Sequence, residues 1–336
     1  MRPVNIAITG LGFMGATHTR AALAVDSLRL VAVVESDPKK RSGDLRDVGG
    51  NLGVRGELHD FSRVKQYENF EDALADPEID AIDICLPTDL HAPMAIAALS
   101  AGKHVLVEKP MALSEGQTES VLRAAEISGK VLMTGHVLRF LPAYAEAAKL
   151  VRSGELGAIQ MSWFRRHCAK PAWGGWLTDP ARSGGGIFDL LIHDVDFSIY
   201  LFGEPESISA SGSAGLMTAT FVYANSGPVV IEGGWHAAGP YPFSMSFTIA
   251  GESGTLEFDS LSCPLTISRA GAKSTEVLPV GDLDGFEQEL RYFAECVASN
   301  RQPEKCPARQ SASAVKVALN MLQAASNQKT NSSTKG

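Results

Sequence analysis

The chain has 336 residues, 45% apolar and 20% charged, with 30 basic against 38 acidic side chains and a net charge of −8. That length suggests two domains, and the composition is globular and excludes a disordered chain. The acidic balance argues against a nucleic-acid partner, and no apolar run reaches the ~18 residues of a membrane span.

The first third alternates strand and helix. Val4–Thr9, Leu28–Val34, Ala81–Leu86, His104–Val107 and Val131–Thr134 read as buried strands. Helical stretches cover Phe13–Val25, Leu90–Ala101 and Ser114–Ser128, the last with Ser114 as N-cap. Such alternation predicts βαβ units and a doubly wound parallel sheet. After about residue 150 the strands lengthen and alternate apolar with polar residues: Ile159–Phe164, Met217–Tyr223, Val229–Trp235, Phe243–Ala250 and Thr255–Phe258. This predicts a C-terminal α+β domain with a large, mostly antiparallel open sheet. Helices follow at Gly285–Asn300 and Ala308–Ala325. The expected division is 1–135, 136–325 and a disordered polar tail, 326–336. One face of the second sheet has no helix left to cover it, so a homo-oligomer is expected, as dimer or tetramer. The five cysteines (Cys85, Cys168, Cys263, Cys296, Cys306) are scattered, and no disulfide framework or metal site is expected. Residues 1–15 lack the features of a signal peptide, which points to the cytoplasm.

Gly10-Leu11-Gly12-Phe13-Met14-Gly15 follows a strand and opens a helix, the context a dinucleotide-binding turn requires. Gly10 permits the tight turn, Gly12 lets a pyrophosphate approach the backbone, and Gly15 allows close packing. Glu35, at the end of the second strand, suits the ribose hydroxyls of NAD and repels a 2′-phosphate. Lys39, Lys40 and Arg41 would attract that phosphate, so NAD is favoured and NADP is the alternative.

Glu108-Lys109-Pro110 places Lys109 at the carboxyl edge of the parallel sheet, where the proline forces a sharp exit and allows a cis bond. An ammonium there can stabilise developing alkoxide charge or exchange a proton; a plain surface lysine is the competing reading. In Gly184-Gly185-Gly186-Ile187-Phe188-Asp189-Leu190-Leu191-Ile192-His193-Asp194-Val195-Asp196, a helix from Gly186 puts Asp189, His193 and Asp196 within an arc of roughly 60°. Asp189 can orient the His193 imidazole and share its proton, or the two form a structural pair.

These segments, with AVVESDP, DICLPTDLHAPMAIAALSAGKHVLVEKPMAL and GTLEF in the same order, resemble the Gfo/Idh/MocA family, named after glucose–fructose oxidoreductase and inositol dehydrogenase. The resemblance spans nearly the whole chain. It implies an N-terminal Rossmann domain, a C-terminal domain with an open sheet, and association through that sheet. It also implies an NAD(P)-dependent dehydrogenase acting on a secondary alcohol of a sugar, sugar derivative or cyclitol. Lys109, Asp189 and His193 match the family's catalytic lysine, aspartate and histidine. The histidine typically takes the hydroxyl proton, and Lys109 is the alternative base. Pro87, Thr88 and His91 match the segment beside the cofactor, although Thr88 equally suits a helix N-cap. His136 and Arg139 fall where the family places substrate-side residues. Arg165, Arg166, His167, Trp173 and Trp176 precede the catalytic helix and could line the pocket. The resemblance leaves the sugar open. It also leaves two rival functions: redox-neutral NAD-dependent glycoside cleavage, and a non-catalytic NAD or sugar sensor.

Overall fold

The computed structural model describes residues 2–50, 56–172 and 174–333. The chain forms two compact units. One comprises the residues up to Phe140 together with Leu283–Ala312, the other Leu141–Asp282 together with the chain from Ser313 onward.

The first unit is built from β1 (Val4–Thr9), α1 (Phe13–Ala24), β2 (Leu28–Val34), α2 (Pro38–Arg41), β3 (Lys65–Tyr67), α3 (Phe70–Ala75), β4 (Ala81–Ile84), α4 (His91–Ser100), β5 (His104–Glu108), α5 (Glu115–Ser128) and β6 (Leu132–Gly135). All six strands are parallel, in the order β3-β2-β1-β4-β5-β6 of dinucleotide-binding sheets. The strands read as continuous apolar runs because both faces are covered. Ile6, Ile8, Val33, Leu106 and Met133 pack in one core cluster, Ala7, Ala32, Ile82, Val105 and Val107 in another. Ser114 caps α5 by accepting from the Gln117 amide at 3.3 Å, and Gly129 closes it in the left-handed conformation.

The second unit opens with α6 (Pro142–Arg152), β7 (Ile159–Ala169), α7 (Pro180–Ser183) and α8 (Ile192–Phe202). It continues with β8 (Ser207–Gly212), β9 (Leu216–Val222), β10 (Val229–His236), β11 (Ser244–Gly251), β12 (Gly254–Asp259), β13 (Cys263–Arg269) and β14 (Glu276–Val277). These form an eight-stranded sheet, β14-β13-β12-β11-β7-β10-β9-β8, in which only the β7–β10 pair is parallel. Alternation separates its faces. Phe164, Arg166 and Cys168 of β7 are buried, as are Val229 and Ile231 of β10 and Phe247 and Ile249 of β11, whereas Trp163, Arg165 and His167 keep solvent contact.

Two helices end the chain, α9 (Gly285–Ala298) and α10 (Ala308–Ser333). Leu290, Phe293 and Ala294 of α9 join the core cluster of the parallel sheet, so a single boundary near residue 135 misses a return of the chain to its first unit. The polar stretch from residue 326 was expected as a tail. Ser326 to Ser333 continue α10, with the Ser326 hydroxyl donating to the Leu322 carbonyl at 3.0 Å and no Gly or Pro to stop the helix; residues 334–336 lie outside the described part. Among the described residues no helix is long and apolar enough to cross a membrane.

Candidate active site

The turn after β1 lies at the point where strand order reverses, between β1 and β4. Gly10 has φ +85°, and a Cβ there would press on the Cys85 carbonyl oxygen at 2.9 Å. A Cβ on Gly15 would lie 1.8 Å from the Gly10 oxygen, so α1 can seat against the turn only with glycine there. A Cβ on Gly12, by contrast, would meet nothing within 4 Å. Gly12 is the N-cap of α1, and among the described residues no side chain caps that helix. An open backbone at an uncapped helix N-terminus suits a pyrophosphate. Glu35 leans onto the same turn. One of its oxygens accepts from the Leu11 amide at 2.7 Å, the other from the Asp37 amide at 3.0 Å. Of the nearby cations, Lys39 pairs with Asp47, and Arg41 donates to the Glu35 and Ser36 carbonyls.

The Glu108-Lys109-Pro110 turn leaves β5 through a cis Lys109–Pro110 bond. His91, the first residue of α4, holds it from one side. Its Nδ1 lies 2.7 Å from the Pro110 oxygen and its Nε2 2.8 Å from the Leu86 oxygen. His91 is buried with both nitrogens on carbonyls, so it shapes the turn. Burial pushes its pKa down against those hydrogen bonds. Thr88 is buried in a 3-10 turn after Pro87 and does not cap α4.

Gly184 and Gly185, with φ +75° and +80°, lead into the second motif, and a Cβ on Gly186 would strike the Gly215 oxygen at 2.5 Å. The helix expected from Gly186 begins instead as a π-helical turn, Ile187–Leu191, before α8. Its wider i→i+5 spacing changes the angular register of Asp189 against α8. The expected stripe also divides within α8 itself. Asp189 and His193 keep partial exposure, while Asp196 is fully buried beside Asp194. Asp189 accepts from the Trp235 indole N–H of β10 at 3.0 Å. The motif reading missed this partner, which no spacing within the motif could indicate.

The family models for the NAD-binding Rossmann fold of the Gfo/Idh/MocA oxidoreductases and for their C-terminal domain match residues 4–136 and 144–257. The chain belongs to the Gfo/Idh/MocA oxidoreductase family. It is 30% identical over 319 residues to scyllo-inositol 2-dehydrogenase (NAD(+)) of Bacillus subtilis, covering 89% of this chain and 88% of that one. It is 30% identical over 212 residues to myo-inositol 2-dehydrogenase of Thermotoga maritima, covering 62% and 58%. Levoglucosan dehydrogenase, solved in complex with NADH and levoglucosan, shares the fold with a TM-score of 0.83 at 20% identity over 97% and 98% of the two chains.

For this Gfo/Idh/MocA chain, two expected substrate contacts need correction. Arg139 is 0% exposed, and its guanidinium donates to the Lys305 oxygen and to Gln310 Oε1, both at 2.8 Å. Arg166 is 3% exposed and forks onto Asp194, Nε to Oδ2 at 2.8 Å and Nη2 to Oδ1 at 3.1 Å. Burial alone would lower the Arg166 pKa, but the Asp194 carboxylate outweighs it and the group is held charged. Both cations are thus consumed by interior acceptors. Arg165 pairs with Glu232, and His167 lies 2.9 Å from His236; both sit on the opposite face of β7 from Arg166. His136 is buried at the end of β6, and Trp176 is half-buried in the loop before α7; Trp173 lies outside the described residues. Arg166→Met should destabilise the chain by about 3–5 kcal/mol, because it strands a buried Asp194 carboxylate. Equilibrium denaturation checks this; unchanged stability with a raised KM would return Arg166 to the substrate.

Proposed function

We propose that this oxidoreductase oxidises a secondary alcohol of a sugar, sugar derivative or cyclitol, with NAD as hydride acceptor. The observations that carry this reading are made in each unit by itself. Lys109 stands at the carboxyl edge of a dinucleotide sheet, and Asp189 and His193 are the two polar side chains of a buried helical run that keep solvent contact. The names of the inositol dehydrogenase relatives agree with it. Bound NAD supplies the hydride acceptor. His193 takes the hydroxyl proton, and Asp189, steadied by Trp235, orients the imidazole and favours its protonated form. Lys109 stabilises the oxygen as its negative charge grows. The products are a ketone, NADH and a proton on His193. With the guanidinium groups of Arg139 and Arg166 engaged in the interior, a neutral polyol suits the protein better than a sugar acid.

The preference for NAD rests on Glu35, whose carboxylate would oppose a 2′-phosphate by about 1–3 kcal/mol at the protein surface. Five free cysteines fit a reducing, cytoplasmic setting. Trp163, Leu216, Val222 and Val230 give the outer face of the eight-stranded sheet apolar area, which suits association of copies through that face.

A screen of polyols for NAD reduction tests the activity; no turnover with any of them, despite NAD binding, would favour a sensor. His193→Ala should lower turnover by about 100- to 10,000-fold and remove the ionisation seen as the rate rises with pH. Lys109→Met should lower turnover by about 100-fold or more, with the Kd for NAD unchanged. If the ionisation survives in His193→Ala at near-original turnover, Lys109 is the base. NAD should bind at least ~10-fold tighter than NADP, and Glu35→Ser should narrow the gap; a native preference for NADP overturns that assignment. Light scattering at micromolar concentration should give a multiple of 35.7 kDa; a monomer would contradict the proposed association.

A further inference from the structure

Beneath the Glu108-Lys109-Pro110 turn lies a chain of buried charged groups that the proposed chemistry does not use. His18, on α1 one turn beyond Gly15, is 0% exposed, and its Nδ1 lies 2.8 Å from Oδ2 of Asp83 on β4. Its other nitrogen, Nε2, lies 3.0 Å from Oε1 of Glu108, within ion-pair distance but without hydrogen-bond alignment. The second carboxylate oxygen of Glu108 accepts from the Lys109 amide at 3.0 Å. Cys85 and Glu289 also face the imidazole, and the Phe286 ring of α9 lies 5.8 Å away.

We propose that His18 is a positioning residue for Lys109, linking the helix of the dinucleotide turn to the Lys109 backbone through Glu108. Three observations carry this. The contacts run without a gap from α1 to the Lys109 amide. Asp83, fully buried, fixes the ring on its far side. On β6, opposite Glu108 in register, Gly135 leaves room for the carboxylate; a Cβ there would lie 3.0 Å from Oε1. The protonation of the ring fits as well. Burial alone would push the His18 pKa down, yet the Asp83 carboxylate and Cys85 hold it well above the ordinary value, which favours the charged ring between Asp83 and Glu108. Glu108 is held below the ordinary range, against burial, by His18 and by the Lys109 charge.

The inference rests on Lys109 acting at the substrate oxygen, as proposed above. A glutamine at 18 can satisfy one carboxylate but cannot bridge both. Two measurements test it. In the chain without cofactor, amide hydrogen exchange at Lys109, followed by NMR, should speed up by about 10-fold or more in His18→Gln, while β1 amides keep their protection. In the presence of NAD and polyol, His18→Gln should lower kcat by about 10-fold or more with little change in KM, and should have almost no further effect in a Lys109→Met background. A general loss of structure would instead lower turnover by the same factor in both backgrounds. Unchanged Lys109 exchange, or equal losses in the two backgrounds, overturns the proposal. Should His18→Gln fail to fold, Asp83→Asn, which keeps the ring but loosens it, is read in the same way. If the unmodified protein turns over no polyol, the proposed function fails, and the exchange measurement still decides the link from His18 to the Lys109 backbone.

Discussion

A carboxylate removed from water costs several kcal/mol unless opposite charge and hydrogen bonds replace its hydration. Glu108 ends the fifth strand of the parallel sheet at 5% exposure, and that demand organises the surrounding backbone. His18 meets one of its oxygens, the Lys109 amide meets the other, and the facing strand carries glycine so that the carboxylate has room. The imidazole then needs its own counterpart, which Asp83 provides from β4. The helix that begins at the dinucleotide turn, the strand at the switch point and the strand that delivers Lys109 are thereby held by one set of charge-assisted contacts. His91 completes the frame from the opposite side of the turn through two carbonyl oxygens.

The same constraint acts separately in the second unit. Asp194 is wholly buried directly after His193, and the bidentate fork of Arg166, brought in by the central strand β7, offsets the cost of that placement. The Arg166 guanidinium also reaches the Tyr144 hydroxyl, whose pKa burial pushes upward, so the phenol stays neutral there. Asp194 thereby holds the helix that carries His193 against the sheet, and its neighbour keeps partial exposure. The π-helical turn just before adds a residue's worth of slack and lets Asp189 reach Trp235 on β10. Irregular backbone of this kind is common where a side chain must be aimed.

Much of this was legible in the sequence, for identifiable reasons. The parallel strands are buried on both faces and announce themselves as apolar runs; Leu28–Val34 is read to the residue. The helix from Glu115 has a side-chain cap and a closing glycine, so both of its ends carry local signals. The motif glycines are legible because their backbone demands are local. What escaped was tertiary. The strands β3, β8, β13 and β14 lie at or next to sheet edges, where short or largely polar stretches serve as well as apolar ones. Arg139 and Arg166 look like ligand-binding cations until their acceptors are seen, and those acceptors lie 166 and 28 residues away. His18 sits in a helix of little amphipathic character among small residues, and its two carboxylates come 65 and 90 residues later. No window of sequence could connect them.

The interior engagement of Arg139 and Arg166 bears on specificity. A site that recognises an anionic sugar needs a desolvated cation left over after the fold has used what it requires. Here the interior consumes both guanidinium groups best placed in the sequence for that role, and Arg165, the next candidate, pairs with Glu232 on the other face of β7. On the function proposed above, recognition of the ring would fall to groups that bind hydroxyls and apolar ring faces, and the half-buried Trp176 has an indole with an apolar face and one N–H donor. Buried charge pairs brace the Lys109 backbone in the first unit and the His193 helix in the second, each unit by contacts of its own.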